Sequence, residues 1–108
     1  MPVEDVQATL LALSAETICE AINNLESPVE EVFACGGGAL NGTLMTALNQ
    51  SLPGVTVATT EALGIAPNWV EACAFAWLAR RRLEHKAGSL ATVTGAARDS
   101  ILGALYLP

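Results

Sequence analysis

Three consecutive glycines, Gly36-Gly37-Gly38, stand directly behind an apolar run, Val32-Phe33-Ala34-Cys35, and ahead of Asn41 and the periodic apolar residues Leu44, Met45, Leu48 and Leu52. That order reads strand, glycine turn, helix. Glycine is required where the backbone takes φ > 0 or where a ligand comes close to the main chain. Such a turn aims bare N–H groups and a helix N-terminus at one spot, which suits a nucleotide. The same order also serves simply to pack a helix tightly onto a strand.

The flanking segments extend this unit. Val55-Thr56-Val57-Ala58-Thr59 is β-branched and reads as a second strand. Strand, helix and strand in so short a span make a βαβ unit, which predicts parallel strands with a right-handed crossover. The first strand, Glu31 to Cys35, is short and apolar, as expected of a strand covered on both faces. The helix after the glycines is expected from about Asn41 to Leu52, capped by Asn41 or Thr43 and closed by Pro53-Gly54.

Ahead of the unit, Glu4 to Leu25 is helical by period. Leu11, Ala15, Ile18, Ile22 and Leu25 form its apolar stripe, which Val6, Leu10 and Leu13 widen. Beyond it, Pro67 suits the first turn of another helix, with Val70, Cys73, Ala74, Trp77 and Leu78 at helical spacing and Gly88 as the residue after its end. A small-residue loop, Thr92 to Ala96, and an apolar run, Ile101 to Leu107, complete the chain. The class is α/β.

Composition narrows the partners. Hydrophobic residues are 52% of the 108 and charged residues only 15%, against about 25% charged in ordinary domains. A small domain has proportionally more surface, so part of this apolar surface is expected to pack against another domain, a second copy or the rest of a longer chain. A net charge of −6 excludes phosphate-backbone binding, and Arg80-Arg81-Arg82 with Lys86 reads as a solvated helix end. Cys19, Cys35 and Cys73 have no metal or redox spacing and sit in apolar patterns, which predicts buried thiols. No metal ligand set and no paired carboxylates are evident. No signal, lipidation motif or long apolar span is seen, so a cytoplasmic, non-membrane protein is expected.

The run from Val32 to Asn41 resembles the adenosine-side motif of the sugar kinase, actin and heat-shock chaperone ATPase superfamily. Further segments follow in order: Leu52-Pro53-Gly54, Thr59-Thr60, Leu63-Gly64-Ile65, Val70-Glu71-Ala72, Ala74-Phe75-Ala76-Trp77-Leu78-Ala79, Val93-Thr94-Gly95-Ala96 and Leu102-Gly103-Ala104-Leu105-Tyr106. Together they resemble the C-terminal part of the anhydro-N-acetylmuramic acid kinase family, from about Val6 onward.

That resemblance implies a fragment of a three-layer ribonuclease H-like, actin-like lobe, with a βαβ unit and long packing helices, spanning residues 1–108 as one incomplete domain. It implies an ATP-dependent kinase that opens and phosphorylates 1,6-anhydro-N-acetylmuramic acid in cell-wall recycling. Gly36, Gly37, Gly38 and Asn41 match the nucleotide side, and Glu71 matches an acid at a cleft-facing helix head, where substrate or water is expected. Asn68 stands where relatives commonly carry Asp. No catalytic residue is expected in this segment, because the family's phosphate loop and catalytic aspartate precede it. Mg2+ is expected to be held mainly outside it, and the isolated chain to be inactive.

Two other classes share these features. A dinucleotide-binding fragment fits Gly36 and Gly38 at the first and third positions of its fingerprint, but the sixth is Asn41, with Glu61 near the acid's place. A non-catalytic packing or regulatory module would use the same fold without binding nucleotide.

Overall fold

The computed structural model describes residues 2–107 and divides after Val70 into two compact units. In the first unit, helix α1 (Val3–Asn23) precedes strand β1 (Glu31–Ala34). A 3-10 turn (Gly37–Leu40), helix α2 (Gly42–Ser51), strand β2 (Thr56–Thr59) and a second 3-10 turn (Thr60–Leu63) follow. β1 and β2 pair in parallel, with Glu31 opposite Thr56 and Ala34 opposite Thr59. The expected βαβ order and parallel pairing are therefore present. The chain is α/β, with a two-stranded sheet.

The first unit's core lies where α1 meets α2 above the sheet. Ala15 and Cys19 of α1 are buried with Leu48 and Leu52, and Ile22, Val32, Met45 and Val57 pack around them. Small residues on α1 let Leu48 of α2 and Leu52, its C-cap, fill the gap, and each such leucine contributes about 1.5–3 kcal/mol through its burial.

Several sequence expectations change here. β1 and β2 are half-buried, not covered on both faces. On α1, Leu11, Ala15 and Ile22 face inward with Cys19, whereas Val6, Leu10, Leu13 and Ile18 are exposed, as is Leu25 beyond the end of the helix. A single apolar stripe therefore does not describe this helix. Of the cysteines, Cys19 is buried but Cys35 and Cys73 are exposed.

The second unit holds the body of helix α3 (Val70–Leu83) and a single helical turn, α4 (Ala91–Thr94), within the segment expected as a loop. Helix α3 starts three residues after Pro67, and none of its residues is buried. It ends five residues before Gly88, through a different device. His85 takes φ 53°, its N–H donates to the Arg82 carbonyl at 3.1 Å, and the Lys86 N–H donates to the Arg81 carbonyl at 2.9 Å. This is a Schellman closure with histidine in the left-handed position usually given to glycine. Gly88 instead permits close approach, since a Cβ there would stand 2.9 Å from Leu78 Cδ2.

The arginine cluster is more than a solvated end. Arg81 is half-buried, donates from Nε to the Ala87 carbonyl at 2.8 Å, and lies 5.3 Å from the centre of the Trp77 ring. Asp99 Oδ1 accepts from the Ala91 N–H at 2.7 Å and so closes the start of α4. The apolar run Ile101 to Leu107 forms no helix or strand and is exposed. None of the described helices is long and apolar enough to cross a membrane.

Candidate functional site

Because β1 and β2 are parallel, their carboxyl ends lie on the same edge of the sheet. Open α/β sheets place ligands outside that edge. Gly36, Gly37 and Gly38 follow β1 there, and Thr60 follows β2.

Each glycine has its own circumstances. Gly36 sits at φ 74°, ψ −169°, a region essentially reserved for glycine, and its N–H donates to the Pro67 carbonyl at 2.9 Å. Gly37 has no positive φ, and a Cβ there would meet nothing within 4 Å. A Cβ at Gly38 would meet only Leu44 Cδ2, at an ordinary 3.7 Å. Both Gly37 and Gly38 are exposed. The fold thus requires glycine at Gly36 and accommodates it at the next two positions.

Asn41 resolves the choice of cap. Its Oδ1 accepts from the backbone N–H groups of Thr43 at 3.1 Å and Leu44 at 3.2 Å, and its own N–H donates to the Gly38 carbonyl at 3.0 Å. The cap therefore fixes where α2 begins relative to the glycines. A groove of about 670 Å³ between α1 and α2 starts at this cap. Ala8, Leu11 and Leu44 give it apolar walls, and its polar lining includes Glu4, Gln7 and Ser14 of α1 with Asn41 and Thr43. Leu44 lines the groove, and its Cδ2 is the atom that a Cβ at Gly38 would meet, while the three glycines themselves do not line it.

Sequence reasoning passed over Thr60. Its Oγ1 is buried without a hydrogen-bond partner, beside the turn's edge of the sheet. Buried hydroxyls are nearly always satisfied, so this one is conspicuous. The available signal was a hydroxyl residue directly after a strand, at the edge where ligands bind.

Glu71 belongs to the second unit, where it is exposed in the first turn of α3. Asn68 lies in the turn before that helix and is exposed. The first unit therefore brings Gly36, Gly37, Gly38 and Asn41 together, with Thr60 at the same sheet edge. No group of three or more His, Cys, Asp or Glu that could hold a metal ion occurs among the described residues.

A sequence model of the anhydro-N-acetylmuramic acid kinase family matches residues 1–108. Anhydro-N-acetylmuramic acid kinase of Nitrosomonas europaea is 52% identical over 103 residues, covering 95% of this chain and 28% of the relative. The Pseudomonas paraeruginosa kinase is 52% identical over 106 residues, covering 98% and 29% respectively. The Saccharophagus degradans kinase is 46% identical over 108 residues, covering all of this chain and 29% of the relative. The chain thus spans under a third of the length of these relatives. The matched shares do not bear out its expected placement at the family's C-terminal end.

Proposed function

We propose, since the chain belongs to the anhydro-N-acetylmuramic acid kinase family, that it is the nucleotide-side portion of a longer ATP-dependent kinase. The complete enzyme opens the 1,6-anhydro ring of anhydro-N-acetylmuramic acid and phosphorylates its 6-hydroxyl, as a cytoplasmic step of cell-wall recycling. The portion belongs to an actin-like, ribonuclease H-like lobe. The observation that carries the nucleotide reading is the bare backbone at Gly37 and Gly38, which neither φ nor contact within the chain requires. Space left open in front of exposed main chain is what close approach of a phosphorylated ligand needs.

The residues divide the work accordingly. Gly36 sets the turn, Gly37 and Gly38 present the backbone, and Asn41 fixes the positive end of α2 toward it. The groove between α1 and α2 is large enough for a nucleoside, with apolar walls for a base and Glu4 and Gln7 for hydroxyl or amino groups. Glu71 serves the sugar side as a carboxylate for substrate or water. Asn41, exposed and capping α2, does not supply the close helix–strand packing that the third glycine of a dinucleotide site provides.

Phosphoryl transfer needs more than this. A helix terminus contributes at most about 2 kcal/mol, whereas enzymes lower such barriers by at least ~8 kcal/mol. The described carboxylates form no metal cluster, so Mg2+ and the catalytic base are assigned to the remainder of the kinase. Replacing the matched segment of the Nitrosomonas europaea kinase with this chain tests the reading. The chimera is expected to bind ATP and phosphorylate the anhydro sugar, and Gly37→Val is expected to remove ATP binding while sparing sugar binding. Equal loss of both affinities would defeat the assignment of the turn.

A further inference from the structure

Helix α1 carries two apolar stripes, not one. Leu11, Ala15, Cys19 and Ile22 face the core of the first unit. Val3, Val6, Leu10 and Leu13 recur at steps of three and four on another face and stay 69%, 41%, 57% and 56% exposed. At 3.6 residues per turn the two stripes lie about 150° apart. A surface helix needs one apolar stripe, whereas a helix that is apolar on opposite sides belongs inside a larger core.

Charge decides between occupants. α1 contains Glu4, Asp5, Glu16 and Glu20 and no Lys, Arg or His, and the whole chain carries −6. A second copy laid along the stripe would set acids against acids with no cation between them. The relatives supply another occupant, because 103 matched residues are only 28% of the Nitrosomonas europaea kinase, leaving most of that chain to form a facing surface.

We propose that the outer stripe of α1, Val3, Val6, Leu10 and Leu13, is the seam along which this portion packs onto the remainder of the kinase chain. The facing surface is apolar at its centre, with Lys or Arg at its margins to meet the α1 acids. The seam rests on the reading of the chain as part of a longer kinase, and places α1 as a central helix between two packed layers. It runs beside the α1–α2 groove, which it meets at Leu10, so the nucleotide would lie at the margin of the joined parts.

The experiment uses the chimera and the 108-residue chain in parallel, each with and without Val6→Glu together with Leu13→Glu. Neither residue lines the groove. The paired substitutions are expected to lower the chimera's melting temperature by about 4 °C or more. They should leave the melting of the 108-residue chain unchanged, because in it both side chains already face water. An unchanged chimera overturns the seam while leaving the kinase reading intact. A folded parent chimera without kinase activity, still destabilised by the pair, supports the seam and overturns the kinase reading. Equal destabilisation of chimera and isolated chain overturns the seam, since the stripe would then serve the first unit itself. A parent chimera that does not fold overturns both.

Discussion

The Gly36 N–H donates to the Pro67 carbonyl at 2.9 Å, fastening the glycine turn to the buried proline ahead of α3. This bond holds Gly36 at φ 74°, ψ −169°, so the first glycine is structural while the second is open. The two positions should separate in mutagenesis. Gly36→Ala is expected to cost about 1–3 kcal/mol, read as a fall in the melting temperature of the 108-residue chain. Gly37→Val is expected to change that melting by little and to act on ATP affinity in the chimera. A Gly37→Val chain that melts as early as Gly36→Ala would show that the second glycine also serves the fold.

Thr60 offers a test of a different kind. Its buried Oγ1 has no partner, and Val matches Thr in shape while removing the hydroxyl. Losing an unsatisfied hydroxyl is expected to stabilise the chain by about 1 kcal/mol. With the hydroxyl at the strand edge that carries the glycine turn, ATP affinity of the chimera should fall about tenfold, the equivalent of one hydrogen bond to a charged group. Paired melting and calorimetric titration check both halves. Stabilisation with unchanged ATP affinity would leave Thr60 as a packing residue.

The parts legible from sequence were those set by local chemistry. The glycine turn and the Asn41 cap depend on residues within a few positions of each other, and the parallel β1–β2 pair follows from one short helical crossover between them. What escaped depends on distant partners. Period identifies apolar residues on α1 but not which stripe meets α2, and both sets fit helical spacing. Gly88 looked like a helix stop because glycine commonly is one. The stop fell at His85, and Gly88 proved to be where Leu78 approaches the chain. Thr60 escaped because an orphaned hydroxyl is visible only once its surroundings are folded around it.

The end of α3 predicts an acid-side pH dependence. Glu84 accepts from Lys86 Nζ at 2.8 Å and from Arg80 Nε at 2.7 Å. The hydrogen bond from Lys86 first, then that from Arg80, hold its carboxyl below the ordinary value. A carboxylate with a depressed folded pKa stabilises the fold above its unfolded pKa, and that contribution is lost as pH falls through the folded pKa. Since Glu84 is exposed, the effect should be small and weakened by salt. Acid titration of stability in the parent and in Glu84→Gln checks this. The parent should lose its advantage over the variant below the ordinary carboxylate range, and parallel titration curves would refute the role of the pair.

His85 gives the most direct test of how α3 ends. Its backbone holds φ 53°, in the left-handed region where a side chain is strained, at a cost of roughly 1–2 kcal/mol for an L-residue. The two closing bonds, His85 N–H to the Arg82 carbonyl and Lys86 N–H to the Arg81 carbonyl, are backbone bonds that glycine makes equally well. His85 is exposed, so its imidazole contributes little packing to set against the strain. His85→Gly is therefore expected to stabilise the chain by about 1 kcal/mol, less what glycine gains in unfolded-chain entropy. His85→Ala should do no better than the parent, because alanine keeps the Cβ that makes the conformation unfavourable. Hydrogen exchange at the Lys86 amide reports on the closure itself: it should slow in the glycine variant and hold or quicken in the alanine variant. Equal melting and equal exchange in all three proteins would mean that α3 does not end on this left-handed residue.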